Sequence, residues 1–109
     1  MRYIGFDMGD GESAVAAFEH GSLIEPVILS VCGSASLLSA VGLLGGEIVV
    51  GDRALTDALA QELSVRFKSR FTTDPASYED VVRFVRGVLS DLRQSGALRP
   101  DDRFVVGCP

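Results

Sequence analysis

The sequence predicts an α/β unit, on three observations. Its first half breaks into short apolar runs separated by glycine turns, among them "RYIGFD", "SAVGLL" and "EIVVG". Its second half carries one long stretch with Val81, Phe84, Val85, Val88 and Leu92 at helical spacing. After that stretch an apolar run returns in "DDRFVVGCP", a crossover of the kind that lays a parallel strand beside an earlier one. Together they predict a mixed sheet with β-hairpins, followed by two helices and a returning parallel strand, in a single unit over residues 1–109.

Taken in order, "RYIGFD" reads as a strand and "ESAVAAFEHG" as a second one, closing on a turn at His20, Gly21 and Ser22. "LIEPVILSV" is β-branched and apolar, with Pro26 marking an edge or an irregular start. Pro26 to Gly46 carries no charge over a length that could span a bilayer. Serines and glycines dilute it, Glu25 and Glu47 flank it where Lys or Arg would fix a span, and "CGS" and "LLGGE" are turn signals. Two buried strands are expected there, and no membrane span.

"SAVGLL" and "EIVVG" form a hairpin on Gly45 and Gly46. "GDRALTDALAQEL" then places Ala54, Leu55, Ala58, Leu59 and Leu63 at helical spacing, with Asp52 as the N-cap. "SVRFKSRFTTDP" reads as an irregular connection ended by Pro75. The second helix starts on a capping box of Ser77 and Asp80 and stops at Gly96. The chain stops on Pro109 directly after an apolar strand, so the unit reads as a piece whose sheet continues in further chain.

Composition narrows the function classes. With 47% hydrophobic and 23% charged residues the chain is a globular domain rather than a disordered one. Net charge is −5 and only "RFKSR" concentrates basic residues, so no basic stripe exists for a nucleic acid. One histidine and two distant cysteines exclude a zinc site. Cys32 and Cys108 lie in apolar runs and read as small buried hydrophobes, which fits a reducing cytoplasm. Asp7 interrupts the first apolar run too early for a signal peptide.

The stretch "FDMGDGES" carries the chemistry, and its spacing leaves several readings open. Gly9, Gly11 and Ala14 satisfy G-x-G-x-x-A after a strand, the dinucleotide fingerprint of a Rossmann-type module. No helix starts at the glycines, however, and no acid stands between Glu25 and Glu47 for a ribose. A calcium loop starting at Asp7 would put Gly9 and Gly11 where carboxylates belong. A plain hairpin needs only Asp7 and Asp10 as turn formers. A phosphate hairpin would aim backbone N–H groups at phosphate oxygens, with Gly9 and Gly11 free of side chains and Asp7 holding Mg2+ through water.

"IGFDMGDGESAVAAF" resembles the first phosphate loop of the superfamily of actin, sugar kinases and seventy-kilodalton heat-shock chaperones. "SAVGLLGGEIVVGDRAL" is similar to the chaperones' hairpin and helix start. "RFKSRF" resembles their lysine-bearing segment, "VVRFVRGVLSDLR" the helix before their next core strand, and "FVVGCP" that strand. The likeness runs collinearly over nearly all 109 residues.

What the resemblance implies is a ribonuclease-H-like, actin-like ATPase fold in part, the amino-terminal fragment of lobe I, binding ATP or ADP with Mg2+. Asp7 would orient the metal and its water. Gly9, Asp10, Gly11 and Ser13 would form the phosphate loop, and Lys68 would polarise the attacking water, with Arg70 the substitute if the register slips. A solvated lysine is the plain alternative for Lys68. A parent protein would couple ATP to polypeptide clients, with co-chaperones as partners.

The family carries threonine hydroxyls where this chain has Asp10 and Gly11. Asp10 either turns outward or changes the metal and nucleotide preference. The family's later carboxylates, second phosphate loop and adenosine motif have no counterpart before Pro109, so this chain alone should not hydrolyse ATP at a useful rate. The alternative of another class is a scaffold that kept the fold and lost catalysis. Unpaired sheet surface at "RFVVGC" and the apolar hairpin further predict self-association.

Overall fold

The computed structural model describes residues 1–21 and 24–107. Strands β1 (Arg2–Met8) and β2 (Glu12–Glu19) form an antiparallel hairpin, paired from Arg2 with Glu19 to Met8 with Ser13. Alternation sorts their faces: Ile4, Phe6 and Met8 with Val15 and Ala17 are buried, whereas Asp7 and Glu12 are exposed. His20 lies in the following turn, as expected, and its amide donates to the Met1 carbonyl. Ser22 lies outside the described residues.

Two buried strands were expected between Pro26 and Gly46, and three short ones are found. Strand β3 (Val27–Leu29) lies at the sheet edge, where Pro26 belongs, and exposes Val27 and Ile28. Strand β4 (Leu37–Leu38) pairs with the start of β2, and β5 (Ala40–Leu44) opens a second sheet. Between β3 and β4, Val31 and Ser34 exchange backbone hydrogen bonds around a tight turn. Cys32 sits in that turn at φ 52 and is exposed, which corrects the buried reading, because the turn breaks the apolar run before it can be covered. Cys108 lies outside the described residues. No helix among the described residues is long and apolar enough to cross a membrane.

Strand β6 (Glu47–Val50) returns against β5 around Gly45 and Gly46, both at positive φ, as a glycine-glycine hairpin requires. The short helix expected over "GDRALTDALAQEL" is cut to α1 (Asp52–Thr56). Gly51, not Asp52, takes the N-cap place at φ 72, and Asp52 becomes the first helical residue. At Asp57 the backbone turns extended, and the chain becomes strand β7 (Gln61–Val65), paired with β5. Pairing across the sheet thus overrides the helical spacing, and Leu59 is left 77% exposed.

The basic connection contains a single helical turn, α2 (Phe67–Arg70), rather than irregular chain. Helix α3 (Pro75–Gln94) starts two residues earlier than its expected capping box. Asp74 is the N-cap, accepting from the Ala76 amide at 3.0 Å, with Pro75 in the first turn. Ser77 is buried inside the helix and donates to the Asp74 carbonyl, while Asp80 accepts from the Ser64 hydroxyl at 2.7 Å. Gly96, at φ 76, follows the C-cap as expected.

The expected face of α3 is the centre of the core: Phe84, Val88 and Leu92 are fully buried, with Val81 and Val85 half-buried beside them. Burying side chains of this size contributes about 1.5–3 kcal/mol each. Ile4 and Phe6 of the first sheet and Val41 and Val50 of the second belong to the same cluster, so α3 backs both. At the crossing with β6 only a glycine fits, since a Cβ on Gly87 would come within 2.6 Å of Val50 Cγ1.

Strand β8 (Arg103–Gly107) joins β1 in parallel, completing the order β3-β2-β1-β8, with β6-β5-β7 as the second sheet. The returning parallel strand is therefore observed. Before it, Arg2 donates from Nε and Nη2 to both Asp102 oxygens at 2.9 and 2.8 Å. The Asp102 side chain is 1% exposed, and the Arg2 hydrogen bonds hold its carboxyl below the ordinary value.

Candidate functional site

The β1–β2 connection gathers the residues singled out in "FDMGDGES". Asp7 lies in β1 opposite Ala14, and its parallel neighbour on β8 is Gly107. Its carboxylate is exposed and makes no hydrogen bond or ion pair among the described residues. It lines an open hollow of about 370 Å³ together with Gly5, Ala14, Ala16, Ile28 and Val105. Gly5, Ala14 and Ala16 put little side chain around Asp7 on this face.

Gly9 and Gly11 do different work. The Gly9 amide donates to the Glu12 carbonyl at 3.1 Å and closes the hairpin. A Cβ there would lie 2.3 Å from that same carbonyl oxygen, so only glycine fits. Around Gly11 a Cβ would meet nothing within 4 Å. The amides of Asp10 and Gly11 make no hydrogen bond among the described residues.

Ser39, which sequence reasoning missed, holds the turn in shape. It stands between β4 and β5, buried, and donates from its backbone amide to the Gly11 carbonyl at 2.8 Å. Its hydroxyl donates to the Gly9 carbonyl at 2.7 Å and lies 2.8 Å from the Ser13 hydroxyl. Ser39 thus holds the carbonyls of both Gly9 and Gly11. Ser13 is buried with its hydroxyl committed to Ser39, so it buttresses the loop from beneath.

Asp10 points neither to solvent alone nor into the loop: its Oδ1 accepts from the Ser69 amide of α2 at 3.0 Å. The residue before Ser69 is Lys68, half-buried on the same helical turn. Sequence pattern held no sign of this link, because Asp10 and Ser69 are 59 positions apart. Arg70, two positions on, is engaged elsewhere: it donates to Val65 O and Ser64 Oγ and pairs with Asp74. The fold therefore brings Asp7, Gly9, Asp10, Gly11, Ser13 and the Lys68 turn to one end of the first sheet.

Among the described residues no three His, Cys, Asp or Glu side chains cluster to hold a metal ion. A lone exposed carboxylate such as Asp7 fits Mg2+, which keeps most of its water and takes one or two protein oxygens beside substrate phosphates. A larger hollow, about 600 Å³, lies between α3 and β6 and includes none of the residues named for the site.

The sequence matches no protein-family model and no curated protein. Among solved structures the chain resembles MamK, an actin-like ATPase, in a non-polymerising mutant bound to AMPPNP. The TM-score is 0.60 at 22% identity, and the alignment covers 99% of this chain and 32% of that one. The likeness shows the fold. This chain spans about a third of the length of its structural neighbour, and the expected partial actin-like α/β architecture is what is observed.

Proposed function

We propose that this chain is the amino-terminal portion of lobe I of an actin-like ATPase domain and carries its first phosphate loop. The observation that carries the reading is the β1–β2 turn, where Ser39 ties down the carbonyls and the Asp10 and Gly11 amides remain unbonded beside the exposed Asp7. Paired amides of this kind are a ready anion site. The open space at Gly11 lets a phosphate approach the backbone.

In the proposed site the Asp10 and Gly11 amides bind phosphate oxygens of ATP or ADP, Gly9 sets the turn and Ser13 supports it. Asp7 would hold Mg2+ through the ion's water, and the ion would neutralise phosphate charge. Lys68 places a positive charge beside the loop, the electrostatic role that phosphoryl transfer needs. The finer reading is a heat-shock-chaperone-like parent that couples nucleotide to polypeptide clients and co-chaperones. It is supported by the collinear run from "FDMGDGES" to "FVVGC".

Calorimetry of the full-length protein with Mg-ATP, beside Asp7→Ala, tests the phosphate-loop reading. Binding is expected to weaken at least about tenfold in the variant. Tight binding untouched by Asp7→Ala would sink it. A second reading, a catalytically silent scaffold, is favoured by the carboxylate of Asp10 beside the loop. It is a nucleotide-independent scaffold, and it predicts a retained fold with no ATP turnover.

A further inference from the structure

Helix α2 is a single turn and cannot hold itself: its N-cap residue, Arg66, is left-handed at φ 53 and no side chain caps it. The amide of Ser69 belongs to the first turn, where a helix leaves donors without internal partners. Asp10 satisfies that donor from across the fold at 3.0 Å. On the other flank of Lys68, Phe67 is fully buried with its ring 5.1 Å from that of Phe84. Lys68 thus stands between an apolar anchor in the core and a charged anchor on the turn.

We propose that Asp10 is a positioning residue: it docks the Lys68 turn onto the phosphate loop, and its negative charge makes the loop favour Mg-complexed nucleotide over the bare polyanion. The inference rests on the phosphate-loop reading above. A neutral residue that kept the acceptor would preserve the docking and relieve the repulsion, whereas one without an acceptor would lose the docking. Charge and docking are therefore separable by substitution.

The experiment uses the full chain as wild type, Asp10→Ala and Asp10→Asn, with amide exchange at Ser69 measured without nucleotide, followed by titration with ATP in Mg2+ and in chelator. Exchange at Ser69 should quicken about tenfold in Asp10→Ala and stay near wild type in Asp10→Asn. Asp10→Asn should bind chelator-treated ATP about threefold to fivefold tighter than wild type, with a smaller gain for Mg-ATP. Asp10→Ala should bind Mg-ATP more weakly than Asp10→Asn. Equal Ser69 exchange in wild type and Asp10→Ala, with Mg-ATP binding intact, overturns the inference alone. Equal gains for free and Mg-bound ATP in Asp10→Asn overturn its charge half. If wild type binds no nucleotide while the exchange contrast persists, the phosphate-loop reading fails and takes the role for Lys68 with it.

Discussion

Two glycine turns in this molecule join antiparallel strands, and they are built on different principles. The β5–β6 turn is local: Gly45 and Gly46 take φ 59 and 83, and a Cβ on either would meet nothing within 4 Å. Its shape follows from backbone chirality matched to strand twist. The β1–β2 turn takes its shape from elsewhere, with Ser39 arriving from the β4–β5 junction and Ser69 from α2. A hairpin that merely reverses the chain needs permissive residues, whereas the β1–β2 turn is braced from outside, as the proposed phosphate loop would require.

Substitutions can break that contrast, the largest effect first. Gly9→Ala drives a Cβ into the Glu12 carbonyl and should cost about 3 kcal/mol in urea denaturation, since backbone rather than a pliant side chain must yield. Ser39→Ala leaves the Gly9 carbonyl and the Ser13 hydroxyl without their partner in a buried place. About 2 kcal/mol is expected, together with weaker Mg-ATP binding; unchanged affinity would show that the brace is merely structural. Gly45→Ala asks a residue with a Cβ to hold left-handed backbone, for about 1 kcal/mol, and should leave nucleotide binding alone. Gly11→Ala should change stability by less than about 0.5 kcal/mol, yet impair nucleotide binding by filling the open space over the turn.

Elements whose signals are local were legible in the sequence. The apolar face of α3 and the Gly45–Gly46 hairpin each rest on residues within one run, the parallel return of β8 follows from the strand–helix–strand order, and each is found. Strand β7 was not legible, because Ala54 to Leu63 copies a helical period while the outcome is decided by pairing with β5. In the candidate site, the glycines and Asp7 announced themselves by spacing. Ser39 and Ser69 did not: a serine in "LLSA" or "FKSR" looks like any other until the chain brings it 26 or 59 positions back to the turn.

The pairing of Arg2 with Asp102 bears on the order in which the molecule assembles. The two residues are 100 positions apart, and β1 cannot complete its sheet until β8 exists. Contacts of such separation close late and slowly, so nearly the whole chain must be present before the first strand gains its second neighbour. Acid offers a way to see this. Arg2 lowers the folded Asp102 pKa below its ordinary 3.8, so the pair stabilises fully above that pH and is lost as pH falls through the lowered value. A contact made after the folding barrier should show this loss as faster unfolding with an unchanged refolding rate, readable in stopped-flow traces of wild type against Asp102→Asn.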